Sequence, residues 1–163
     1  MNTRDENYDK LQAIGRGAAE GIADMVAALE CDYDRLEELR MSKDQPEWDD
    51  ADAEELAELD AAAGECESRE DAETRIIEDP LSVEVRSDWH APGSEDNTPA
   101  EFCILLGTGG PAVRIRGELD EHCQPHRAWI EAQDWGTPWT QYFGDGCSTD
   151  TLLTYCQQFY FGG

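Results

Sequence analysis

Ile76-Ile77-Glu78-Asp79-Pro80-Leu81-Ser82-Val83-Glu84-Val85-Arg86 is where the periodicity of this chain changes. Before Pro80 the apolar residues recur at steps of three and four, the repeat of one helix face. After it, Leu81, Val83 and Val85 alternate with Ser82, Glu84 and Arg86, the period of two that a half-buried strand requires. A chain that runs helical and then turns to strands is of the α+β class. The division predicted is an acidic helical region at 1–79 and an α+β domain at 80–163.

Working back from Pro80, residues 44–79 hold sixteen Asp and Glu against only Arg69 and Arg75, so this stretch carries −14 of the formal net charge of −26. Between 47 and 60 the acids are Glu47, Asp49, Asp50, Asp52, Glu54, Glu55, Glu58 and Asp60, spaced by alanines and leucines that favour helix. At about 1.5 Å rise per residue, eight carboxylates in fourteen residues give one charge per about 2.6 Å. Duplex DNA carries one phosphate per about 3.4 Å on each strand. Acid runs are commonly solvated faces or disordered segments. Here Trp48, Leu56 and Leu59 interrupt the acids, and the flanking segments have folded patterns, so an ordered helix is expected. Pro46 is placed at its first position and Gly64 at its end; Ser68 caps a further short helix.

Further upstream, Tyr8, Leu11, Ile14, Ala18, Ile22, Met25, Val26 and Leu29 mark one face of a long amphipathic helix. Gly15, Gly17 and Gly21 each weaken it by up to about 1 kcal/mol relative to Ala, which implies that this face packs closely on another element. Tyr33, Leu36 and Leu39 continue in a second helix, with Asp32 or Asp34 as its cap.

Downstream, residues 91–98 read as a loop, 102–106 as a central strand, 107–111 as a turn, 112–116 as a third strand and 128–133 as a fourth. Leu152, Cys156 and Phe159 have the spacing of a C-terminal helix. The expected architecture is thus N-terminal acidic helices followed by a roughly four-stranded antiparallel sheet and a final helix.

Composition bounds the function. A pI near 4.1 and a net charge of −18 on residues 1–79, against −8 on 80–163, oppose direct binding of nucleic acid or an anionic membrane and favour a basic partner. Residues 1–6 contain no apolar run, and no later segment approaches the roughly 18 apolar residues of a membrane span; the expectation is a cytoplasmic protein. Its six cysteines follow no framework spacing and are expected to be free thiols.

Three stretches invite chemistry. Gly107-Thr108-Gly109-Gly110 has the glycines of a phosphate loop, but Pro111 and an alternating strand follow where a helix is required, so it reads as a hairpin turn. Cys123 and His126, with His90, Cys103 or Cys147, contain zinc-ligand types without the two close pairs such sites use, and the preferred reading is a polar turn. No nucleophile–base signature stands in context, so neither enzyme activity nor a cofactor is expected. Residues 134–143, with Trp135 and Trp139, form an aromatic stretch suited either to closing over the core or to binding a protein. Arg114 and Arg116 share one strand face and are expected to oppose the acidic helix, or alternatively to hold an anionic ligand.

Thr108-Gly-Gly-Pro-Ala-Val-Arg-Ile-Arg-Gly-Glu-Leu-Asp120 and Gln133-Asp-Trp-Gly-Thr-Pro-Trp-Thr-Gln-Tyr142 resemble small uncharacterised proteins of bacterial phages and integrative elements. The charge pattern resembles the DNA-mimic inhibitors such elements carry, the anti-restriction and anti-CRISPR proteins. The second resemblance implies a protein that occupies the basic nucleic-acid cleft of a defence nuclease or surveillance complex with the eight acids of 47–60. The alternative is a non-catalytic accessory or regulatory protein of the element that binds a protein partner through the Trp-rich loop.

Overall fold

The computed structural model describes residues 3–162. Four helices come first: α1 (Thr3–Glu30), α2 (Tyr33–Ser42), α3 (Asp50–Ala63) and α4 (Arg69–Glu78). Five strands follow, β1 (Ser82–Ser87), β2 (Pro99–Gly107), β3 (Ala112–Leu119), β4 (Pro125–Gln133) and β5 (Thr140–Gln141), and then α5 (Thr149–Cys156). The strands form one antiparallel meander in the order β1-β2-β3-β4-β5. The fold is α+β, as the change of period at Pro80 predicts. The fifth strand is a two-residue addition inside the Trp-rich stretch.

Local chemistry sets the helix ends. Asp32 accepts from Arg35 N at 3.0 Å and starts α2, Ser68 accepts from Asp71 N and starts α4, and Gly64, at φ +58°, closes α3. Pro46 does not open the acidic helix. Asp49 and Asp52 form a reciprocal cap, in which Asp52 N donates to Asp49 Oδ1 at 2.9 Å and Asp49 N to Asp52 Oδ2 at 3.2 Å. This box satisfies two amides that a helix start leaves without partners, whereas a proline merely tolerates the position, so the helix begins four residues later. Glu47 therefore precedes α3, and Asp49 is its cap.

One face of the sheet is covered by helices. Phe102, Ile104, Ile115, Leu119 and Ile130 pack with Ile22, Met25, Val26 and Leu29 of α1, Ile76 of α4, and Leu152 and Tyr155 of α5 in a single buried cluster that runs across the helix-to-strand boundary at 79/80. The Tyr155 hydroxyl donates to Asp79 at 2.7 Å and ties α5 to the end of α4.

The buried face of α1 differs from the aliphatic one expected. It runs Leu11, Gly15, Ala19, Ile22, Val26, Leu29, while Tyr8 is exposed and Ile14 and Ala18 are half-buried. The small residues lie where the helix comes closest to its neighbours. A Cβ on Gly15 would meet Tyr142 Cβ at 2.6 Å, and one on Gly146 would meet Ala19 Cβ at 2.8 Å. Close packing thus explains Gly15. Gly17 and Gly21 have open space around them.

Among the described residues the other sheet face carries no helix. Its arginines and glutamates lie directly across from one another in register: Arg86 from Glu101, Arg114 from Glu131, Glu118 from Arg127.

Candidate functional site

Helix α3 forms because its reciprocal cap is followed by Ala, Leu and Glu, all strong helix formers, and it docks through half-buried Leu56 and Leu59 and buried Ala63. It contains no Lys or Arg, so none of its acids can find a cation one turn away on the same helix.

The eight acids expected to form one row divide into two groups. Asp49 and Asp52 are occupied by the cap. Glu55 accepts a forked pair of bonds from Arg35 of α2, at 2.8 and 2.9 Å, and this holds its carboxyl below the usual carboxylate range. Asp60 accepts from Arg40 at 2.6 Å. The remaining four, Glu47, Asp50, Glu54 and Glu58, are exposed, and none has a hydrogen-bond or ion-pair partner among the described residues. Asp50, Glu54 and Glu58 lie at i, i+4 and i+8, one stripe with an axial step of about 6 Å. The row is therefore sparser than the one charge per about 2.6 Å read from the sequence. The neutralising arginines come from another helix, and no spacing within residues 47–60 announces them.

The helical region also sends cations away. Lys10 pairs with Asp134, and Arg16 with Asp145 at 2.9 Å, both acids of the C-terminal half. Those contacts hold the two carboxyls below their ordinary range and leave α3 with Arg35 and Arg40 as its ion-pair partners.

Arg114 and Arg116 do not face the acidic helix, which corrects that expectation. Both lie on the open sheet face: Arg114 donates to Glu131 at 2.7 Å, and Arg116 shares Glu101 with Arg86. Arg86 donates to Glu101 at 2.6 Å, and that bond is the main reason the Glu101 carboxyl is held low. Cross-strand neighbours of opposite charge meet more readily than a helix on another layer.

The Trp-rich stretch is likewise dispersed. Trp139 is half-buried with the Arg114 guanidinium 4.0 Å from its ring centroid, a structural cation–π contact. Tyr142 is buried against Gly15, and its hydroxyl accepts from Gly146 N at 3.0 Å. Trp135 remains 83 % exposed, beside Gly110 of the β2–β3 turn.

Residues 107–111 form that hairpin turn between β2 and β3, as expected. Cys123 is buried at φ +60° in the β3–β4 turn, where Asp120 accepts from the backbone amides of His122 and Gln124. His122 and His126 point to Glu121 and Glu118. Among the described residues no three His, Cys, Asp or Glu side chains converge as metal ligands do, and all six cysteines are free. No helix among the described residues is long and apolar enough to cross a membrane.

The chain matches no family model, and no curated protein or solved structure is significantly similar to it. The resemblance to phage and integrative-element proteins therefore stands on the two quoted stretches alone.

Proposed function

We propose that this protein is an acidic DNA mimic that inhibits a bacterial defence complex, of the anti-CRISPR or anti-restriction kind, by occupying its basic nucleic-acid cleft. The observation that carries this reading is the stripe Asp50, Glu54, Glu58, exposed and unneutralised on a helix that Arg35 and Arg40 fasten to α2, with exposed Glu47 three residues before it in the chain. The fold sets three of these residues on one face of an ordered helix and uses none of the four carboxylates. A cleft that binds phosphates with Lys and Arg gains from counterion release, and a fixed row of carboxylates meets the same cations. Each exposed pair contributes only about 0 to 1 kcal/mol, so the row acts collectively, and the field of a chain of net charge −26 speeds encounter. On this reading the protein works by occupancy, without chemistry or cofactor, in the cytoplasm of the host cell.

The test is capture from bacterial lysate on immobilised protein at low and high salt, with and without competing duplex DNA. The expected result is a nucleic-acid-binding protein that DNA displaces and that salt releases steeply. Retention unaffected by reversing Glu47, Asp50, Glu54 and Glu58 to Lys would remove this reading.

A second reading rests on Trp135, an indole largely in solvent: an accessory protein of the element that binds a partner through this loop, its acids serving solubility. Trp135→Ala abolishes capture on that reading and leaves it unchanged on the first. Trp139 does not discriminate, because Arg114 already covers its ring.

A further inference from the structure

The two edges of the sheet are finished differently. At the β5 edge the strand is two residues long, and Gln12 of α1 closes over it, donating to Gln141 O at 2.9 Å and accepting from Phe143 N at 2.8 Å. At the β1 edge, Ser82–Ser87 runs six residues with no Pro or Lys, and its irregularity falls only after Arg86. In an antiparallel ladder every second residue of an edge strand directs its N–H and C=O away from the sheet. Such an edge is a template for another strand.

The side chains along this edge are apolar on one face and charged on the other. Val83 and Val85 pair with Ile104 and Phe102 and so share the core face. The covering layer reaches β2, where Phe161 stacks on Phe102 at 4.8 Å between centroids. Val83 and Val85 are left 38 % and 45 % exposed, Leu81 is 61 % exposed, and Trp89 is fully exposed. On the opposite face stand Glu84 and Arg86.

From this geometry we propose that β1 pairs with β1 of a second copy, antiparallel about a two-fold axis at Val85, to make one continuous ten-stranded sheet. The charges select both the partner and the register. A two-fold at Val85 sets Glu84 of each copy opposite Arg86 of the other, two complementary cross-strand pairs in which Arg86 is shared with Glu101 of its own copy. A two-fold at Glu84 or at Arg86 stacks like charges, which is destabilising, and one at Val83 leaves Arg86 opposite Pro80. The Val85 register also sets Val85 against Val85 and Val83 against Ser87, and brings Trp89, just past the strand, level with Leu81. Val85 is thereby covered by its own copy and Leu81 by Trp89, while Val83 faces the small Ser87. An isologous contact of this kind closes at two copies, and it is independent of the acidic helix.

The test is sedimentation equilibrium over a concentration series on the intact chain and three variants, with circular dichroism to confirm that each is folded. Wild type is expected at twice the 18.2 kDa chain mass. Glu84→Arg and Arg86→Glu each put like charges opposite one another and are expected to raise the dissociation constant about 10- to 100-fold. Mixing these two variants restores both complementary pairs, so the mixture is expected to return to the dimer mass. Val85→Lys alone places two ammonium groups on the axis and is expected to be monomeric. A wild type that stays monomeric at the highest concentration, a dimer indifferent to Glu84→Arg and Val85→Lys, or failure of the mixture to recover would each overturn the proposal.

Discussion

Helix α3 and the open face of the sheet are both lined with carboxylates, yet they handle charge in opposite ways. On the sheet, Glu101, Glu118 and Glu131 each lie directly across a strand from an arginine and form an ion pair with it. On α3 there is no cation at all, and only the two acids within reach of Arg35 and Arg40 are neutralised. Like charges one turn apart destabilise a helix by a few tenths of a kcal/mol each. The sheet's charges are thus paired within the fold, although Glu101 also lies opposite Glu118, while the stripe Asp50, Glu54, Glu58 is left without cations. Charge that the fold does not use is charge that a partner can.

The largest expected effect lies in binding. Reversing Glu47, Asp50, Glu54 and Glu58 together to Lys should weaken capture of the partner by about 100-fold or more while leaving the circular dichroism spectrum unchanged. Reversing Glu101 and Glu131 instead should perturb the fold before it perturbs binding.

Next in size is a contrast between two glycines of α1. Gly15→Ala drives a methyl into the Tyr142 ring and is expected to cost about 1 to 3 kcal/mol in denaturant unfolding. Gly17→Ala meets open space and is expected to stabilise by up to about 1 kcal/mol. Equal effects would mean that α1 does not seat on β5 as described.

Smaller again is the comparison within the charges. Glu131→Ala strips Arg114 and the Trp129 indole N–H of their acceptor and is expected to cost about 1 to 2 kcal/mol. Glu58→Ala, with no partner to lose, is expected to stay within about 0.5 kcal/mol.

The smallest effect is a pH dependence. Arg86 holds the Glu101 carboxyl below its ordinary value, so its contribution to stability is complete above the unfolded-state value and is lost as pH falls through the lowered folded one. Glu101→Gln should therefore flatten the acid limb of the stability curve below about pH 4.5 and leave its neutral region sloped as in wild type.

The architecture was legible because its signals are local. The switch of period at Pro80, the caps at Asp32 and Ser68, the closing Gly64 and the glycine turn at 107–111 each act within a few residues. Four features were not legible, three of them because they depend on residues distant in the chain. The start of α3 is set by the reciprocal pair Asp49 and Asp52, a local signal that lacks the Ser/Thr and Glu/Gln of the usual capping box, whereas Pro46 is only permissive. The neutralisation of Glu55 and Asp60 depends on Arg35 and Arg40, twenty residues away on another helix. The partners of Arg114 and Arg116 follow from strand register, which decides who lies opposite whom and is a tertiary property. The large aliphatics of α1 do not reveal that a close contact is made where a side chain is absent, at Gly15.

The claim on which the functional reading turns is that residues 50–63 hold their free carboxylates on an ordered helix. Amide hydrogen exchange of the free protein measures this directly. Protection across Ala53–Ala63, retained at 0.5 M salt, roughly the level that screens exposed ion pairs, is the expected result. Exchange of these amides at the rate of an unstructured chain, while β2, β3 and β4 remain protected, would contradict it.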